Sequence, residues 1–375
     1  MQTDIYQEKD SSQENGIPPD QIHTLPLEQQ EAFFNGPALA PPEGIIPNLE
    51  HPPNQNALTH AVTAILFILS TAFAALQAFT CIVRKKQAKW TDYVALLAYL
   101  FFVGYIIVTY WLIVTQGYFV HQWDMSVRTF LDLLLIVHIA SHFYSIVMAA
   151  MKTVILVEWI QIFVPRGTRN GFVYTSWVAI AVNLTFYIIA IILLNVSARP
   201  YRRNFNFTVP GVTHFNSSTT IVAGAAINVV LDLVILVIPQ RIIWRLKMKK
   251  AKKIGVSLIF LIGILGCIAG ICRLAYSIIF FKSQDISYAI PPMSLWCIAE
   301  MTCAIIIYCA PSVPRALKWN QKGETTPSKA SANTPAYSWS NPEASSTPGS
   351  GRKYTRIDEI GVHLGDISSQ TRLGQ

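Results

Sequence analysis

Residues 228–273 constrain the fold more than any other stretch. An apolar run carrying Asn228 and Asp232 reaches Pro239, passes a basic cluster, and is followed by a second apolar run containing Arg273. The cluster is Arg241, Arg245, Lys247, Lys249, Lys250, Lys252 and Lys253. The two runs, 219–244 and 254–281, each exceed the roughly 20 residues that a helix needs to cross hydrocarbon. They cannot both sit in a soluble core around so basic a turn, and they predict a membrane hairpin with the turn in the cytosol. Asp232 and Arg273 must then pair or face a polar interior.

The rest of the chain repeats this pattern. Only 13% of the 375 residues are charged and 52% are hydrophobic, against roughly 25% charged in an average soluble domain. Apolar runs at 58–83, 93–116, 130–163, 171–194, 219–244, 254–281 and 290–310 predict seven spans. The expected fold class is all-α, a polytopic membrane protein built as a seven-transmembrane helix bundle. The third run is roughly 50 Å long at 1.5 Å per residue and must tilt or project beyond the bilayer.

Lys and Arg set the orientation. The first, third and fifth connections carry 4, 2 and 7 of them, 13 in all, whereas the alternate connections carry 5: Arg128, Arg199, Arg202, Arg203 and Lys282. The excess predicts an N-terminus outside and a C-terminus in the cytosol. Two sequons in the fourth connection, at Asn206 and Asn216, fall on the same outer side and are candidate glycosylation sites. Asn195 is too near the membrane and Asn183 lies within it.

Residues 1–57 are acidic and rich in Pro and Gln, with no apolar periodicity, and predict a disordered extracytosolic tail. Residues 58–314 form the membrane domain. Residues 315–375, rich in Ser, Thr and Pro, predict a disordered cytosolic tail in which Thr326, Thr334 and Thr347, each before Pro, are candidate phosphorylation sites. No basic-then-apolar leader opens the chain, so a cleaved signal peptide is not expected. The net charge of +8 resides at helix ends rather than along one surface, which argues for the lipid bilayer and against nucleic acid as partner.

Counting 1.5 Å per residue from the outer ends places His138, His142, Arg273, Glu300 and Asp232 in one layer, roughly 10–20 Å deep. With Asn228, these residues form a candidate intramembrane polar cluster in which Arg273 turns toward Glu300 or Asp232. Such a cluster either fixes helix rotation or forms a small-molecule pocket or relay. His138 and His142 share a helical face at i, i+4, but no third ligand has matching spacing, so no metal site is expected. Lys152 and Glu158 are expected to snorkel from the inner part of the third span, toward different partners. Pro239 permits a bend, and Gly263, Gly266 and Gly270 permit close helix approach.

No GxSxG, HExxH, Walker loop or dinucleotide fingerprint is present, so no enzyme is expected. The seventh run has no Lys to hold retinal as a Schiff base, so no cofactor is expected. The cysteines all lie within or beside apolar runs, without zinc-like spacing.

Asn228, Asp232, Pro239, Trp244, Leu246 and Met248, then Lys252-Lys253, Gly263 and Arg273, then Trp296, Glu300 and Ala310-Pro311, together resemble the fungal rhodopsin-domain family of seven-helix, receptor-like membrane proteins. The resemblance covers 58–314. Thr91-Asp92-Tyr93 and Lys152-Thr153 resemble it more weakly. Glu158-Trp159 stands where relatives often carry Tyr and Arg, and the usual outer-loop cysteines are missing, so no extracellular disulfide is expected. The resemblance implies a receptor-like protein of a fungal membrane, with the plasma membrane expected ahead of internal membranes. It would sense an unknown small-molecule cue and signal to a cytosolic partner, the last by analogy only. A transporter or channel-like component of metabolite secretion, and a scaffold without a small ligand, remain as alternatives.

Overall fold

The computed structural model describes residues 19–82, 89–164, 171–240 and 250–312. They lie in the first of two units, Met1–Thr325, while the second, Thr326–Gln375, falls outside the described residues together with Thr326, Thr334 and Thr347. Arg241, Arg245, Lys247 and Lys249 also fall outside them.

Among the described residues seven helices are long and apolar enough to cross a membrane. After a short α1 (Leu27–Asn35), they are α2 (Asn56–Thr80), α3 (Trp90–Thr115), α4 (Val127–Phe163), α5 (Gly171–Val196), α6 (Ser217–Val237), α7 (Lys250–Lys282) and α8 (Ile286–Cys309). Consecutive helices pack side by side, α2 closes the ring against α8, and α4 also packs against α8 through the middle. Phe102, Val147, Met148, Met151, Leu156, Ile298 and Met301 fill this central seam.

The helix ends show why three expected boundaries move. Ser126 accepts from the Thr129 amide (3.2 Å), so α4 begins at 127 and runs 37 residues, about 55 Å. α6 stops at Val237 rather than 244, because Pro239 has no amide to continue the ladder. α8 starts at 286, four residues before the expected run, because Asp285 caps it through the Tyr288 amide (3.3 Å). Pro291 and Pro292 lie inside its first turns.

Residues 19–57 belong to the stretch whose composition predicts a disordered tail. A 3-10 turn (Pro19–Thr24) and α1 lead into a bridge between Pro37 and Ser126. The Ala38 amide donates to the Met125 carbonyl (2.9 Å), and the Val127 amide donates to the Gly36 carbonyl (3.0 Å). The Asn48 amide donates to Asp124 Oδ1 (2.9 Å), and Gln55 N donates to the Tyr118 carbonyl (2.9 Å). Ile22 and Ala38 are buried. The segment thus folds over the loop between α3 and α4 and makes this the N-terminal end of the bundle. A two-residue hairpin, β1 (Ala198–Arg199) with β2 (Val212–Thr213), lies in the connection between α5 and α6.

Candidate functional site

A polar network crosses the middle of the bundle. Lys152 on α4 donates to Asp232 Oδ1 on α6 (2.8 Å), and Arg273 Nε on α7 donates to Glu300 Oε2 on α8 (3.0 Å). Asn228, one helical turn before Asp232, joins the two pairs. Its Nδ2 donates to Glu300 Oε1 (2.6 Å) and to Asp232 Oδ2 (3.1 Å). Its Oδ1 accepts from Lys152 Nζ (2.7 Å) and from the Tyr187 hydroxyl of α5. Tyr144 of α4 donates to Glu300 Oε2 (2.9 Å), and its ring lies 5.0 Å from the Arg273 guanidinium carbon.

The network is balanced, with two cations and two carboxylates. Each carboxylate has a cation and a neutral donor, which is what permits ions in a medium that cannot solvate them. One group is left over. Arg273 Nη2 is buried, on a side chain only 9% exposed, and has no hydrogen-bond partner among the described residues. α6 packs closely on α7 at Gly263, where an added Cβ would lie 2.7 Å from Leu236 Cδ1, while at Gly270 it would lie an ordinary 3.4 Å from Asp232 Oδ2.

Of the six residues expected to cluster, four meet: Asn228, Asp232, Arg273 and Glu300. His138 and His142 do not join them. His138 Nε2 lies 3.1 Å from the Tyr201 hydroxyl, and His142 Nε2 accepts from Asn195 Nδ2 (2.8 Å), so the pair ties α4 to the α5 end and the following connection. Among the described residues no group of three His, Cys, Asp or Glu could hold a metal. Of the two sequon asparagines, Asn206 accepts from the Thr208 hydroxyl (2.6 Å), and Asn216 caps α6 through the Thr219 amide (3.2 Å).

Lys152 is the chief residue that sequence reasoning misplaced. It was expected to snorkel, but it is buried and holds Asp232 and Asn228. Eleven residues separate it from the end of α4, about 17 Å, beyond the reach of a lysine side chain. That distance was the available signal. Tyr144 and Tyr187 carried none, since tyrosine in an apolar run reads as ordinary packing.

A second network lies at the opposite end. Asp92 accepts from Gln77 Nε2 (3.0 Å), the Tyr308 hydroxyl (2.9 Å) and the Lys89 amide (2.9 Å), tying α2, α3 and α8. Glu158 accepts from Lys89 Nζ (3.2 Å) and the Thr91 hydroxyl (3.1 Å), which adds α4. Glu158 and Lys152 therefore do have different partners.

Seven apolar helices closed around a buried ionic network define a multi-pass integral membrane protein. Residues 60–319 match the model of the fungal rhodopsin domain, and the chain belongs to that family. It is 34% identical over 345 residues to "Fugralins biosynthesis cluster protein 2" of Gibberella zeae, covering 89% of this chain and 86% of that one. It is 33% identical over 172 residues to a "SAT4 family membrane protein" of Emericella nidulans, covering 46% of this chain and 42% of that one. No solved structure matches it.

Proposed function

We propose that this protein is a receptor-like sensor in which the central network reports an unidentified small-molecule cue to a cytosolic partner. The observation that carries this reading is the position of Asn228, which holds two ion pairs together across α4, α6, α7 and α8. A cue with a hydrogen-bond acceptor has a ready donor in Arg273 Nη2. Engaging that donor would change the competition for Glu300 and favour one packing of α6 on α7. A ligand shifts such an equilibrium only by binding the two packings differently, and an unpaired buried donor supplies that difference.

The orientation follows the Lys and Arg count, with the N-terminus outside and the 241–249 connection in the cytosol; the plasma membrane as the location is what the family resemblance implies. We assign no catalytic role and no retinal: α8 contains no Lys, and Lys152 is engaged with Asp232 and Asn228. The test is proximity labelling from a tag in the 241–249 connection, comparing wild type with Asp232→Asn. Signalling proteins recruited by wild type and lost in the variant support reception. Normal responses in both Glu300→Gln and Arg273→Gln, with both variants folded, would remove the network from the mechanism.

A second reading, a component of metabolite export, has one observation in its favour: the relative from Gibberella zeae is named for a biosynthesis cluster. It predicts accumulation of a labelled metabolite in vesicles that Glu300→Gln abolishes, without ligand-dependent recruitment. A scaffold without a small ligand predicts neither result.

A further inference from the structure

A cleft of about 140 Å³ opens between α3 and α4 near the N-terminal end, lined by Trp111, Thr115, Gln116, Asp132, Leu135 and Ile136. It is separate from the central network. Asp132 lies in the second turn of a spanning helix, yet it is exposed and makes no hydrogen bond or ion pair among the described residues. Gln116 is only 9% exposed, and its buried Oε1 has no hydrogen-bond partner among the described residues. Trp111 is half-exposed.

These three groups favour the same kind of guest. A carboxylate attracts a cation, an unsatisfied amide oxygen seeks a hydrogen-bond donor, and an indole face attracts a cation electrostatically. Together they select a cation that carries N–H groups. Arg128 is exposed one turn nearer the start of α4, on the same face at i−4 and about 6 Å away along the axis. A positive charge thus stands beside the negative one, at a spacing that suits an ammonium linked to a phosphate.

Position narrows the source. Trp111 and Thr115 belong to the last turns of α3, and Arg128 and Asp132 to the first turns of α4. That is the headgroup level, where tryptophan is enriched. Leu135 and Ile136 continue the lining deeper along α4, toward the acyl region. The size agrees, because a cavity of about 150 Å³ takes a molecule as small as benzene, and an ethanolamine-sized head is of that order.

We propose that this cleft binds the headgroup of a membrane phospholipid with a primary ammonium, the ammonium at Asp132, Gln116 and Trp111 and the phosphate at Arg128. A choline head is the weaker guest, because a quaternary ammonium cannot donate to Asp132 or Gln116.

The test uses the full chain in mild detergent, offered phosphatidylethanolamine or phosphatidylcholine of identical acyl chains, with bound lipid counted by native mass spectrometry. One charge-assisted hydrogen bond predicts a preference of about tenfold for phosphatidylethanolamine. Asp132→Asn is expected to shrink that preference, and Arg128→Gln and Trp111→Leu to lower binding of both. Thermal melting identifies any variant that has lost its fold, and the wild-type comparison of the two lipids stands without variants. Equal binding of both lipids by wild type, or unchanged preference in folded Asp132→Asn, overturns the proposal. Soluble O-phosphoethanolamine at millimolar concentration is expected to leave the bound lipid in place. If it displaces the lipid, a water-soluble amine is the guest and the lipid assignment falls.

Discussion

Asn228 uses all four hydrogen-bonding capacities of its amide, two N–H groups toward carboxylates and two lone pairs toward Lys152 and Tyr187. Asn228→Asp would replace the bridging donors with a third carboxylate between Asp232 and Glu300. It is expected to destabilise the bundle by about 3–5 kcal/mol, as removal of one partner from a buried pair does, read as a loss of thermal stability in detergent. The Lys152–Asp232 pair makes a finer prediction. Lys152→Met or Asp232→Leu alone strands a buried charge and costs about 3–5 kcal/mol, whereas the double substitution costs less than either single one. Equal and additive losses would show that the two side chains do not interact. Four members of this network were legible in the sequence because a polar or ionisable group in an apolar run must find a polar neighbour. Lys152 was legible only through its distance from the end of the apolar run, about 17 Å, which exceeds what a snorkelling side chain spans. His138 was grouped with them on depth alone, yet it lies 14 residues before Lys152 on α4, about 21 Å along the axis.

Helix pairs carry these contacts, and α6 on α7 is the pair most sensitive to side-chain volume. An added Cβ at Gly270 would meet Asp232 Oδ2 at 3.4 Å and Val229 Cγ2 at 3.5 Å, ordinary contact distances. Gly270→Ala is therefore expected to fold normally, whereas Gly270→Leu forces the helices apart at about 1–3 kcal/mol, measurable by the same melting assay. At the opposite end, Asp92→Ala removes the acceptor shared by α2, α3 and α8. Its expected cost is about 1–3 kcal/mol, with faster hydrogen exchange at the α2 and α8 ends as a second readout. Number and type of helices were legible because apolar length alone sets them. Boundaries that depend on a cap or a proline were less so. The Asp285 cap starts α8 ahead of the expected run, and the break after Val237 shortens α6.

The whole molecule differs most from expectation at its N-terminal end. Residues 19–57 have the composition of a disordered tail, and what holds them is backbone pairing to the loop at 118–127, which leaves no periodic trace in sequence. The orientation proposed for the bundle is testable there. Asn206→Gln with Asn216→Gln is expected to abolish a glycosidase-sensitive shift in electrophoretic mobility, and modification on an N-terminus-inside chain would reverse the assignment. The same end is shut by side chains as well as backbone. Tyr118, Val120, Gln122 and Asp124 are buried beneath the segment, and the His121 ring stacks 4.3 Å from both Trp123 and Tyr288 while its Nδ1 lies 2.6 Å from Asp285 Oδ2. A solute diffusing in from the aqueous phase therefore meets a lid. For the sensing proposed above, a route sideways from the lipid between helices bypasses that lid. Potency across a series of cues should then track oil–water partition rather than aqueous concentration, and the membrane itself becomes the first filter of what the protein detects.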